Sequence, residues 1–136
     1  METKFNFKSS VCTSREQSER LLSLGLKKET ADMVHYMNGW GTLATPWRDD
    51  YEGYKCYYPA WSLHRLWELT PKVISTKPLL YLTMCEDSVF YCAEGNNEEY
   101  EKSFSRQISL YDNIIDCIEW LIKEGYFNKE YLERKE

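Results

Sequence analysis

No stretch of this sequence approaches the roughly 20 consecutive apolar residues that a membrane-spanning helix requires. The amino-terminal run Met1-Glu2-Thr3-Lys4-Phe5-Asn6 also lacks the apolar centre of a secretory signal. The expectation is a cytoplasmic protein with no membrane contact. Histidine is scarce: only His35 and His64 are present. Neither stands in a zinc-ligand pattern or at ligand spacing from a cysteine, so no metal is expected. Positive charge is in deficit, with 17 Lys and Arg against 22 Asp and Glu and a net charge of -5. The basic residues are scattered, whereas a surface that tracks phosphates needs the opposite balance, so nucleic acid is not an expected partner. Asn38-Gly39-Trp40-Gly41-Thr42 has neither the P-loop nor the dinucleotide spacing of glycines, and no cofactor is expected.

Cysteine is not scarce, but its pattern is uninformative. Cys12, Cys56, Cys85, Cys92 and Cys117 include no Cys-x-x-Cys pair. Their odd number, in a chain without an export signal, points to free thiols and away from a disulfide framework. A two-residue turn at Glu86-Asp87 would set Cys85 opposite Ser88 and Tyr81 opposite Cys92, so those two thiols do not face each other.

What is present is a globular composition: 43% apolar and 15% aromatic residues in 136. That length bounds one domain, able to bury about two thirds of the surface its unfolded chain exposes. We expect it over residues 1–136, with 1–11 and 128–136 peripheral. Thr13-Ser14-Arg15-Glu16 has the form of a capping box and predicts a helix from Ser14 to Leu24, ended by Gly25. Lys28 to Met37 is read as a second helix with Ala31, Val34 and Met37 on one side. From Asn38 to Pro59 periodicity fails and a loop is expected, with a short strand at Lys55 to Tyr58. Ser62 then caps a helix carrying Leu63, Leu66, Trp67 and Leu69, stopped by Pro71.

Val73 to Ser75, Leu79 to Cys85 and Ser88 to Glu94 read as strands, with Leu80, Leu82 and Met84 on the core face of the middle one. Gly95 to Lys102 is read as a solvated connection. Tyr111, Ile114, Ile115, Ile118, Leu121 and Ile122 recur at helical spacing and predict an amphipathic helix from Leu110 to Glu124 with Gly125 as its stop. The expected fold class is α+β: a small antiparallel sheet, including a hairpin near 79–94, packed against about four helices, the longest C-terminal.

The densest feature is aromatic. Nine Trp or Tyr residues fall between Tyr36 and Trp67, around Tyr57-Tyr58-Pro59-Ala60-Trp61-Ser62-Leu63. Large rings with a polar tip build either cores or binding faces. Tyr57, Trp61 and Trp67 sit among strand and helix signals and are read as core. Trp40, Trp47, Tyr51 and Tyr54 stand in polar, glycine-rich surroundings and are the candidate binding residues. Pairing a cysteine with a histidine would make a nucleophile, but five cysteines and two histidines offer no preferred pair, and no catalytic residue is assigned.

The segments Leu24-Gly25-Leu26, Glu29-Thr30-Ala31-Asp32-Met33 and Pro59-Ala60-Trp61-Ser62-Leu63, with Leu66, Leu69 and Pro71 following, precede a hairpin and a final helix bearing Ile118, Trp120-Leu121-Ile122 and Gly125. In this order they resemble a family of short hypothetical proteins found on phage-like and other mobile elements of Bacteroides-type bacteria. The resemblance spans most of residues 12 to 127 and implies a bacterial, intracellular accessory protein. It assigns no activity. Two functions follow as expectations. The favoured one is a non-enzymatic module that binds a protein partner, or a second copy of itself, through the aromatic loop. The alternative is a small hydrolase or transferase with a pocket between the 38–58 loop and the sheet.

Overall fold

The computed structural model describes residues 11–38, 41–46, 57–76, 79–85, 88–93, 100–106 and 109–133. Within them, three α-helices and two antiparallel sheets form an α+β arrangement whose longest helix is C-terminal. The sequence expectation of one small sheet with about four helices is corrected to this.

Helix α1 (Arg15–Ser23) begins one residue later than the capping-box reading placed it. Ser14 is the cap: its hydroxyl accepts from the Gln17 amide while the Gln17 side chain accepts from the Ser14 amide. Thr13 is fully buried instead. Its amide donates to the Trp61 carbonyl at 2.9 Å and its hydroxyl accepts from the Trp61 amide at 3.1 Å, while sharing a bond with Ser18. Either hydroxyl suits a local box, and a long-range partner claims the first.

The second helix expected at Lys28 to Met37 is absent. One 3-10 turn at Lys28–Thr30 leads into strand β1 (Met33–Asn38). β1 is the central strand of the first sheet, flanked by β2 (Gly41–Pro46) and β3 (Tyr57–Ala60) in the order β2-β1-β3. Ala31 and Val34 are buried, as a helical face would require, but the spacing also fits a turn followed by a strand. Hydrogen bonding on both edges of β1 decides between them, because a short isolated helix has little stability of its own. The strand expected at Lys55 to Tyr58 is observed at Tyr57–Ala60, and β2 went unread. Pro59 is accommodated because β3 lies at the sheet edge, where a missing amide donor breaks no ladder.

Helix α2 (Leu63–Leu69) follows the sequence reading: Ser62 accepts from the Arg65 amide, and Leu66 and Leu69 are buried. Its last turn is closed by Lys72, whose ammonium donates to the carbonyls of Trp67 and Thr70. The second sheet runs β4 (Val73–Thr76), β5 (Leu79–Met84), β6 (Val89–Ala93) and β7 (Tyr100–Phe104), in that order. The hairpin register places Tyr81 opposite Cys92, and the Cys85 amide donates to the Ser88 carbonyl, as expected. Leu80 and Leu82 face the core while Tyr81 is exposed. β7 replaces part of the expected solvated connection. Phe104 at its end is buried, while Lys102 and Ser103 are exposed.

Helix α3 (Leu110–Glu124) has the predicted boundaries. Gly125 ends it at φ 80°, a left-handed conformation that costs a side-chain-bearing residue roughly 1 kcal/mol. Ile114, Ile115, Cys117, Ile118 and Leu121 pack into the core with Leu21, Leu26, Trp61, Leu66, Leu82, Val89 and Tyr91. α3 is locked to α1 by polar contacts on the outside. Arg20 donates to Asp116 at 2.6 Å and to Glu119 at 2.9 Å, and Gln17 donates to Asp112 at 3.1 Å. After Phe127, which is buried, the chain returns to the start of the fold: Lys27 donates to the Tyr131 carbonyl and Glu133 to the Gly25 carbonyl.

Candidate functional site

The four residues proposed from sequence as a binding surface, Trp40, Trp47, Tyr51 and Tyr54, lie outside the described residues. Of the aromatic side chains read as core, Trp61 is fully buried. Its indole nitrogen donates to the Thr30 hydroxyl at 3.0 Å, so the polar edge of the ring is satisfied inside the protein. Asp32 completes this junction: its carboxylate accepts from the Ser62 amide at 2.8 Å and from the Ser62 hydroxyl at 2.5 Å, which ties the start of β1 to the cap of α2. The Thr-Ala-Asp-Met and Pro-Ala-Trp-Ser-Leu segments are therefore two sides of one structural joint. Trp67 differs, being only half-buried.

The fold does bring one cysteine to a histidine. Cys12 Sγ lies 3.5 Å from His35 Nε2. The same nitrogen stands 2.7 Å from the Thr13 carbonyl oxygen, which can only accept, so Nε2 carries the proton. It cannot then take the proton of the thiol. His35 Nδ1 is buried and has no hydrogen-bond partner among the described residues, and the ring stacks on Tyr58 with centroids 4.5 Å apart. Burial, helped by the negative charge of Asp32, pushes the Cys12 thiol pKa up. An activated nucleophile needs the opposite shift, from a proton acceptor or a nearby cation. The contact fastens β1 to the segment preceding α1.

The other cysteines divide by burial. Cys117 is fully buried in α3, which pushes its thiol up to about 12, with Asp116 adding to the shift. Cys92 is buried and Cys85 exposed, and all four described cysteines are free. Alkylation of the native protein near neutral pH should modify Cys85 well before Cys12, Cys92 and Cys117, as peptide mapping over time would show. Early modification of Cys12 would mean that its thiolate is accessible and would reopen the nucleophile reading.

His64, the second histidine, is 81% exposed and sits 3.6 Å from Glu68 one turn along α2. It rims a shallow recess of about 590 Å³ whose other lining side chains, Leu63, Trp67 and Met84, are apolar. The elements explain the composition. Leu63 and Trp67 stand four residues apart on α2 and share a face, and Met84 ends the core-facing row of β5 where that strand runs past the helix. The Lys72 ammonium lies over the Trp67 ring, 5.1 Å from its centroid. Glu68 and Arg65, 4.0 Å apart, supply nearby charges. An apolar centre of Trp, Met and Leu with charged residues beside it has the anatomy of a small contact surface.

The sequence reading anticipated that Leu63 and Met84 would face inward. It missed that α2 is too short to cover the end of β5. The helix has seven residues, about two turns. Its length was legible, but its position over the sheet was not. No protein-family model, curated protein or solved structure matches the chain. No described helix is long and apolar enough to cross a membrane.

Proposed function

We propose that this protein is a small non-enzymatic binding module, an accessory protein of a mobile element, that docks on a partner protein through the recess between α2 and β5. The observation that carries this reading is the half-buried trio Leu63, Trp67 and Met84, in a recess lined almost wholly by carbon. The fitting occupant is an apolar side chain presented by the partner, because the recess is shallow and offers one polar group, His64, at its rim. The blocked proton transfer and raised thiol of the Cys12–His35 contact favour binding over nucleophilic catalysis. The mobile-element setting is supported by the sequence resemblance. In this reading Trp40, Trp47, Tyr51 and Tyr54 provide further aromatic contacts to the partner.

A photo-crosslinking amino acid at position 64, in cells that naturally carry the protein, should yield a discrete adduct. The same group at Lys129 should not, and Met84→Glu should abolish the position-64 adduct while the variant keeps a folded circular dichroism spectrum. Equal adducts at both positions, or an adduct indifferent to Met84→Glu, would remove this recess as the docking surface.

A further inference from the structure

A second concavity, distinct from the apolar recess, lies between β7 and α3. It has a volume of about 660 Å³ and is lined by Lys102, Arg106, Asp116, Glu119, Trp120 and Lys123, with Phe104 at its inner edge. That volume falls in the range of small-ligand sites, about 300–1,000 Å³. Its charge runs against that of the whole chain. Arg20 occupies both carboxylates, donating to Asp116 at 2.6 Å and Glu119 at 2.9 Å. Among the described residues, counting Arg20 with the lining, four cations (Arg20, Lys102, Arg106 and Lys123) meet two carboxylates (Asp116 and Glu119), in a protein whose net charge is -5.

Lys102 and Arg106 have no carboxylate within ion-pair distance among the described residues, and Lys123 reaches Glu119 only at 3.8 Å. The Lys102 ammonium lies over the Phe104 ring, 5.7 Å from its centroid, at an exposed position of β7. Trp120 is held in place by three neighbouring rings, with centroids of Phe104, Tyr126 and Tyr91 at 5.9, 5.8 and 6.3 Å. A fixed indole beside two cations, Lys102 and Arg106, that no described carboxylate engages suits a ligand that combines a flat ring with phosphates, since guanidinium and ammonium groups bind phosphate oxygens through charge-assisted hydrogen bonds. An acidic peptide would use the cations, but a concavity of this size and an aromatic wall fit a small molecule better.

We propose that the cleft between β7 and α3 binds a phosphate-bearing small molecule of the nucleotide class, its phosphates among Lys102, Arg106 and Lys123 and its base against Trp120. The site is independent of the recess between α2 and β5. The test is a titration of the full chain followed by the indole N–H resonance of Trp120, assigned with Trp120→Phe. ADP, pyrophosphate, adenosine and a glutamate-rich peptide serve as probes.

ADP should shift that resonance saturably and bind more tightly than pyrophosphate, with adenosine weakest. The double substitution Lys102→Gln and Arg106→Gln, at exposed positions, should weaken ADP about tenfold or more while leaving the melting temperature unchanged. Added salt should weaken ADP binding as well. Failure of both ADP and pyrophosphate to bind at millimolar concentration, or equal affinity in the double variant, would overturn the site. Pyrophosphate matching ADP would overturn the ring contact, and tighter binding of the acidic peptide would overturn the small-molecule assignment.

Discussion

Ile118→Asp should leave the chain without a cooperative fold, seen as loss of the near-ultraviolet circular dichroism signal and of a thermal transition. Ile118 is fully buried at the middle of α3, among Leu21, Trp61, Leu66 and Tyr91 of the same core cluster. The substitution removes a side chain whose burial contributes about 1.5–3 kcal/mol and puts in its place a carboxylate with nothing provided to pair with it. An unpaired charge in a core belongs to the class of changes that cost about 4–5 kcal/mol or more, a large share of the roughly 5–15 kcal/mol that holds an ordinary domain together. A soluble variant with an unchanged melting temperature would mean that α3 turns this side to solvent.

Trp61→Ala should lower stability by about 3–5 kcal/mol in denaturant unfolding, the range for removing a large aromatic side chain from a core. Two effects add. The indole leaves a cavity beneath α1 and α2, and the Thr30 hydroxyl loses the donor it holds at 3.0 Å. The backbone bonds between Trp61 and Thr13 persist, because alanine keeps the amide and carbonyl that make them. Trp67→Ala, at a half-buried ring beside the recess, should cost clearly less. The pair of variants thus separates core from surface within one aromatic segment, and equal losses at the two positions would contradict the burial difference.

The aromatic density between Tyr36 and Trp67 was the most conspicuous signal in the sequence, and it does not mark one kind of site. Aromatic residues satisfy the demands of a core and of an interface with the same side chain, so composition alone leaves the two indistinguishable. Burial assigns Trp61 to the core and Trp67 to the edge of a recess. The cleft between β7 and α3 left a weaker trace. Lys102 and Phe104, two positions apart, share one face of β7, but only five residues make up that strand and they sit in a charged run. Its basic character depends on Arg20, which lies 96 and 99 positions from the carboxylates that it occupies.

The elements legible in the chain are those whose signals are local: α3 with its six-residue apolar stripe and its terminal Gly125, α2 between Ser62 and Pro71, and the hairpin of β5 and β6. Caps, stops and side-chain periodicity act within a few residues, so they are legible without knowing what surrounds them. Long-range packing settles that Met33–Asn38 is a strand and not a helix, that Ser14 rather than Thr13 caps α1, and that Cys12 meets His35 through a nitrogen already bound to a carbonyl. In each case the local signal fitted more than one arrangement, and a partner distant in the chain, β2 and β3, Trp61 or the Thr13 carbonyl, selected the one observed.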